Sequence, residues 1–127
     1  ACHNARDVEA VFVRHGFTVI YPEELDLAQQ AYLFRDVRVV AGFGGSGLFN
    51  IFNSKALEHL VVLNHESYTA RNEHLYAAVL GCAEHYFWSP ADIAQPLNGW
   101  SAEAYYSGWQ FDFEQNLDAL EDLLRSL

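Results

Sequence analysis

Positive charge is scarce in this sequence, which has 7 lysines and arginines against 17 aspartates and glutamates and a formal net charge of −10. Nucleic acid is excluded as a partner, because binding a polyanion needs clustered basic residues. An anionic membrane surface is disfavoured for the same reason. A single phosphorylated small molecule remains compatible, because backbone N–H groups and a helix N-terminus can hold it without bulk positive charge.

Cysteine, methionine and long apolar runs are also rare or missing. Cys2 and Cys82 form no CxxC or Cys/His motif, so we expect reduced thiols and a cytoplasmic protein. No apolar run approaches the roughly 20 residues of a membrane span, and the first residues do not read as a signal peptide. Because the chain contains no methionine, even at its start, we expect a processed chain or a fragment of a longer protein.

A dedicated metal site is not predicted. The six histidines include no HExxH motif and no Cys/His cluster with the spacing of metal ligands. We therefore expect neither a metal ion nor a cofactor in this chain. Apolar residues make up 51% of the sequence and charged residues 19%, which is typical of a globular protein. The length favours a single domain over residues 1–127.

Helical and strand-like patterns alternate along the chain. Helices are expected to begin at two capping pairs, Asn4 with Asp7 and Asp26 with Gln29. Further helices are expected over 46–53, 71–80 and 117–127, and strands over 17–21, 37–41, 59–64 and 84–88, with a short extended segment over 109–113. The alternation predicts an α/β fold: a Rossmann-like, doubly wound, mostly parallel sheet of about four to five strands with helices on both faces. Ligands of such sheets bind beyond the carboxyl ends of the strands, where the strand order reverses.

A glycine-rich turn follows the predicted strand at 37–41. Gly42, Gly44 and Gly47 match G-x-G-x-x-G between that strand and a short helix. Glycine tolerates positive φ and lets a phosphate approach the backbone. The N–H groups of Gly45, Ser46 and Gly47 would then face the anion, and the Ser46 hydroxyl would add a donor. The alternative is a tight turn in which small residues serve packing alone.

Three further residues are candidates for a nucleotide site. Asn50 lies one turn into the short helix and could bond a phosphate or stabilise the turn. Glu66 follows a strand and could accept ribose hydroxyls, or it could be a solvated loop acid. Arg71 could clamp a diphosphate through its planar guanidinium, or it could be an ordinary residue of the first helical turn.

The segment 89–108 is rich in turn residues and in aromatic side chains. Its neighbourhood contains Trp100, Tyr105, Tyr106 and Trp109. Core packing or an interface is the expected role, since aromatic residues supply much of the buried area of proteins. Stacking on a base or a sugar is the alternative.

The stretch 16–53 resembles the C-terminal core of the family 61 glycosyltransferases. The elements that carry the resemblance are Gly16-Phe17 at a helix end, Pro22, Glu23 and Leu25 in a turn, Gln29, Gln30 and Phe34 in a helix, and Gly42, Gly45, Gly47, Leu48 and Asn50 in the glycine motif. Asn4 matches an Asn that commonly begins the first helix, and the similarity covers about Asn4 to Trp88 and is diffuse beyond it. The segment 68–78 resembles a Tyr-x-x-Arg-Asn segment of bacterial, capsule-associated members.

The resemblance implies the donor-binding C-terminal half of a two-domain, GT-B-like enzyme. Such an enzyme transfers a sugar from an NDP-sugar, usually a UDP-sugar, to a glycan acceptor with inversion and without an obligatory metal. Its partners would be the donor, an acceptor of cell-surface (capsular) polysaccharide biosynthesis and an N-terminal domain that this chain lacks. The catalytic base is expected in that absent domain, so no catalytic residue is named and the isolated fragment is expected to be inactive. The family's motif has His where this chain has Gly44.

Two other functions remain open. The literal G-x-G-x-x-G also fits an NAD-binding Rossmann domain of an oxidoreductase. The Gly44 departure also fits a non-catalytic binding module that retained the fold. The sequence leaves open the donor sugar, the acceptor, the linkage and the oligomeric state.

Overall fold

The computed structural model of the protein describes residues 1–70 and 72–127, apart from the side chains at positions 46, 47, 49 and 50. The chain forms two compact units. The first unit consists of Ala1–Val19, Asn64–Ala70 and Phe87–Leu127, and the second of the remaining residues from Ile20 to Tyr86. The single domain expected over residues 1–127 stays a prediction.

Helices and strands alternate through most of the described residues. The α-helices are α1 (Ala5–Arg14), α2 (Leu27–Phe34), α3 (Asn72–Leu80), α4 (Ala102–Tyr105) and α5 (Phe113–Ser126), and the strands are β1 (Val39–Phe43), β2 (His59–His65) and β3 (Ala83–Ser89). Two 3-10 helices span Pro22–Glu24 and Ser46–Asn53. The predicted α/β class is confirmed, and so are the strands expected near 59–64 and 84–88.

The three strands form one parallel sheet in the order β1-β2-β3. β1 pairs with β2 in a register that runs from Val39 opposite His59 to Phe43 opposite Leu63. β2 is the central strand, and all of its residues after His59 are buried, as its apolar sequence requires. Because the strand order follows the chain order, these three strands contain no reversal of the kind that creates a ligand crevice.

Two expected strands are absent from the part of the chain that the structure describes, so the sheet has three strands rather than four or five. The segment 17–21 has no regular secondary structure, because Phe17 packs its ring edge-on against Phe12 of α1, with 5.2 Å between ring centroids. The segment 109–113 is not a strand either. Trp109 forms only isolated bridges, with Cys2 and with Ala91, and Phe113 already begins α5.

The two predicted helix caps have opposite outcomes. The pair Asp26 and Gln29 forms a complete capping box at the start of α2, as predicted. The pair Asn4 and Asp7 does not, because the Asn4 side chain makes no capping hydrogen bond. That side chain instead bonds both backbone groups of Phe111. The short helix after the glycine turn is present, but it is a 3-10 helix.

Each unit buries its own set of apolar side chains. In the second unit, one cluster consists of Leu48, Ile51, Leu60, Val62 and Ala77, and it joins the Ser46–Asn53 helix to β2 and α3. In the first unit, the buried apolar residues come from α1, α5 and the segment between β3 and α5: Val8, Val11, Phe12, Ala104, Trp109, Phe111, Leu120 and Leu124. Within the described residues, the helices are too short or too polar to cross a membrane.

Candidate functional site

The glycine turn (residues 42–47) begins inside β1 and leads into the Ser46–Asn53 helix. Gly42 pairs with Val62 of β2. The Gly44 N–H donates to the Leu63 carbonyl at 3.0 Å, which continues the β1–β2 hydrogen bonding past the last strand residue. The turn therefore lies at the carboxyl end of β1, the end of a parallel strand at which α/β proteins bind ligands.

Gly42 and Gly45 are required for different physical reasons. A Cβ added to Gly42 would lie 2.8 Å from Cδ2 of the buried Leu48 side chain, so Gly42 allows the 3-10 helix to pack closely on β1. Gly45 has φ 142° and ψ −174°, a backbone region that is essentially restricted to glycine. No atom lies within 4 Å of a Cβ at Gly45, so that position needs glycine for its conformation rather than for space.

Glu73 provides an acceptor within the turn. The Gly45 N–H donates to Oε1 of Glu73 at 2.8 Å. Glu73 lies in the first turn of α3, where the positive end of the helix dipole stabilises a carboxylate. The residue is only 1% exposed, and its Oε2 has no hydrogen-bond partner among the described residues. Of the three backbone donors expected for a phosphate, that of Gly45 is thus engaged within the protein, as is the N–H of the neighbouring Gly44.

A second, partly buried carboxylate lies close to Glu73. Glu84 of β3 forms an ion pair through Oε1 with Nδ1 of His74, and its Oε2 has no partner within the described residues. Burial raises the pKa of the Glu84 carboxyl. The charge of His74 lowers this pKa and the charge of Glu73 raises it. The region behind the glycine turn therefore contains two neighbouring acidic side chains.

The other predicted site residues are distributed as follows. Glu66 belongs to the first unit, directly after β2, with an exposed side chain and a backbone N–H that donates to the Ser89 carbonyl at 2.9 Å. Arg71 lies outside the described residues, as do the side chains of Ser46 and Asn50. The contacts of these residues, and of Gly47, with a nucleotide stay predictions.

Sequence reasoning did not identify Glu73. An acidic residue in the first turn of a helix usually only complements the helix dipole, and no spacing rule links position 73 to position 45. The one available signal was the position of α3 directly after the loop that follows β2, because helices that follow parallel strands begin at the ligand-binding edge of the sheet.

Several histidines form pairs and ring contacts. Nδ1 of His59 and Nε2 of His85 lie 3.0 Å apart, and burial, followed by the charge of His59, lowers the pKa of His85. His65 is buried against Trp109, and burial lowers its pKa as well. Within the described part of the chain, no three His, Cys, Asp or Glu side chains are grouped as metal ligands would be.

The aromatic segment combines buried and exposed rings. Trp109 is 4% exposed and is part of the first unit's interior. Tyr105 stacks on Tyr68 with 4.6 Å between centroids and also contacts Trp100 and Tyr106. Trp100 is 59% exposed and Tyr106 77%. Core packing therefore accounts for Trp109, whereas Trp100 and Tyr106 present their rings to solvent.

Comparison with known protein families finds a match to the first half of the chain. The family model described as Glycosyltransferase 61 matches residues 1–62, a range that contains α1, α2, β1 and the whole glycine turn. No curated protein and no solved structure matches the chain. A glycosyltransferase family is thus supported, while the bacterial capsular type and the C-terminal donor half stay predictions. Residues 1–62 are thus similar to the glycosyltransferase family 61.

Proposed function

We propose that this chain binds a nucleotide sugar, a UDP-sugar in the first instance, as the donor-binding half of a GT-B-like glycosyltransferase. The observation that carries the proposal is the family match over residues 1–62, because this range includes the entire glycine turn. In the intact protein the sugar would pass to a glycan acceptor in the synthesis of a cell-surface polysaccharide in the cytoplasm.

The geometry of the turn supports a role in positioning a diphosphate. The turn lies at the carboxyl end of β1, and Gly45 adopts a conformation that other residues avoid. Strained glycine turns at such strand ends allow a ligand to approach the backbone closely. The backbone donors of residues 46 and 47 would hold the diphosphate leaving group, and Arg71 would help to neutralise the charge that develops on it.

The sugar-transfer step needs a catalytic group in addition to the backbone donors and Arg71. Transfer with inversion requires a general base within hydrogen-bond reach of the acceptor hydroxyl. We assign that base to an N-terminal acceptor domain, and the isolated chain would bind the donor without transferring its sugar. The family's motif places His where Gly44 stands, so this chain positions the diphosphate with backbone groups instead of an imidazole.

Thermal unfolding in the presence of UDP-glucose, UDP, GDP and NAD tests the proposal. A ligand that binds only the folded state at about 100 times its Kd adds about 2.7 kcal/mol, which raises the Tm of a chain of this size by on the order of 10 °C. We expect stabilisation by the uridine compounds. A shift with NAD alone would favour the oxidoreductase, and no shift with either uridine compound would contradict the proposal.

A pair of glycine variants assigns the binding to the turn. Gly45→Ala forces the backbone out of its glycine-only conformation and redirects the donors that follow. Gly99→Ala is a matched control, since Gly99 also has a positive φ (112°) and no atom within 4 Å of an added Cβ, but belongs to the first unit. We expect both variants to lose stability and only Gly45→Ala to lose the shift with UDP-glucose. Equal shifts in both would contradict the assignment to the turn.

A further inference from the structure

A carboxylate of the protein itself already accepts a hydrogen bond from the glycine turn. The Glu73 carboxylate accepts from the Gly45 N–H at 2.8 Å, the kind of backbone donor that a phosphate oxygen would use in a glycine turn. Hydrogen bonds to an ionised acceptor are about twice as strong as neutral ones. A phosphate must therefore bind beside this carboxylate instead of replacing it.

Stability alone does not explain a buried carboxylate at position 73. Burying a carboxylate is costly unless its oxygens are paired, yet Oε2 of Glu73 has no partner among the described residues. Oε2 of the nearby Glu84 also has no partner among the described residues, and the two carboxylates repel each other. A glutamine at position 73 could accept the same N–H bond without the charge. The hydrogen bond to Gly45 therefore does not explain why residue 73 carries a negative charge.

We infer that Glu73 is a specificity-determining residue of the glycine turn, one that favours a diphosphate esterified at both ends over a free nucleoside diphosphate. This inference rests on the proposed function. A UDP-sugar lacks the second ionisation of a terminal phosphate, which has a pKa of about 6. Free UDP therefore brings additional negative charge to the turn at neutral pH. A buried carboxylate at Gly45 penalises that charge, which favours the donor substrate and weakens the binding of the UDP product.

The ratio of the Kd for UDP to the Kd for UDP-glucose measures this selectivity. Glu73→Gln removes the charge but keeps an oxygen that can accept from the Gly45 N–H. We expect the variant to bind UDP about tenfold more tightly relative to UDP-glucose, which corresponds to about 1.4 kcal/mol. Glu84→Gln is the matched control, because it removes a partly buried carboxylate that is not the hydrogen-bond partner of Gly45. A purely structural role of Glu73 would change both affinities together and leave the ratio as it is.

The wild-type chain offers a test that needs no variant. UDP methylated on its terminal phosphate lacks the additional ionisation and carries no sugar. We expect it to bind like UDP-glucose if charge sets the selectivity, and like UDP if contacts with the sugar set it. The second result, or an unchanged ratio in Glu73→Gln, overturns this inference while nucleotide binding stands. No binding of any uridine compound by the wild-type chain overturns the proposed function itself.

Discussion

The two units differ in the charge of the polar side chains that they bury. In the first unit, the Asn4 side chain bonds both the N–H and the carbonyl of Phe111, at 2.8 and 3.0 Å. Asn116 donates to the Trp88 carbonyl at 2.7 Å, and the Ser89 hydroxyl accepts from the Asp112 N–H at 2.9 Å. These side chains are neutral and their hydrogen bonds go to backbone groups, so they stabilise the first unit directly.

The second unit buries charge without completing its hydrogen bonds. Glu73 and Glu84 each leave one buried oxygen without a partner among the described residues. Such groups cost stability unless they are paired, and stability in this unit depends on the apolar cluster around Leu48 and Ile51 instead. The satisfied neutral groups thus stabilise the first unit, whereas stability alone does not explain the buried charge of the second.

Asn4→Ala is expected to have the largest effect on stability. The substitution leaves both the N–H and the carbonyl of the buried Phe111 without partners. Each unsatisfied buried group costs about 1–3 kcal/mol, so we expect a loss of about 3 kcal/mol. Urea unfolding measures the loss as a lower midpoint at an unchanged slope.

Asn116→Ala is the control for this prediction. It removes one short bond, to the Trp88 carbonyl, and should cost about half as much as Asn4→Ala. If Asn4→Ala lost less stability than Asn116→Ala, the two hydrogen bonds between Asn4 and Phe111 would not be the main contact between α1 and the segment that precedes α5. The contrast between the two units would then be lost.

Asn4 also shows where sequence reasoning about the fold fails. Its position before an apolar helical pattern predicts an N-cap, and α1 does begin directly after it. The side chain bonds Phe111 instead, more than a hundred residues along the chain, and local spacing carries no information on such a partner. The strand predicted over 17–21 is wrong for the same reason. Its residues favour a strand, but a strand needs a neighbouring strand to pair with, and Phe17 instead packs on α1.

Of the candidate site, the part with a local signature could be predicted. The spacing of Gly42, Gly44 and Gly47 indicated the turn at the end of β1, and the conformation of Gly45 explains why a glycine is needed there. The carboxylate that bonds the turn, Glu73, comes from a helix after the next strand. Its role depends on the crossover that places α3 beside the turn, so only the folded structure reveals it.

Gly42→Ala tests whether apolar packing dominates the second unit. The new methyl group would lie 2.8 Å from Cδ2 of Leu48, and overpacking of this kind costs about 2 kcal/mol. In a Leu48→Ala background the same methyl group should cost much less, because the clashing atoms are gone. A double-mutant cycle from urea unfolding measures the coupling, and additive effects would show that Leu48 and Gly42 do not set the cost.

Acid should weaken both units through one histidine in each. Burial lowers the pKa of His65 in the first unit and of His85 in the second below the ordinary 6.5. The unfolded chain then binds more protons than the folded chain as the pH falls below 6.5, so stability decreases with acidification. One histidine contributes at most about 1.4 kcal/mol per pH unit. His65→Gln and His85→Gln should each flatten the dependence of the urea midpoint on pH between 6.5 and 4.5, and an unchanged slope in either variant would contradict its assigned role.

The smallest expected effect has the opposite sign. Burial raises the pKa of Glu84 above 4.5, so the unfolded chain releases this proton at a lower pH than the folded chain does. The contribution of Glu84 to stability is therefore complete below pH 4.5 and is lost as the pH rises through the raised pKa. Glu84→Gln should gain stability relative to the wild type as the pH rises through that range, offset in part by the lost pairing with His74. A variant that instead becomes less stable than the wild type with rising pH would show that the pairing with His74 outweighs the cost of burying the charge.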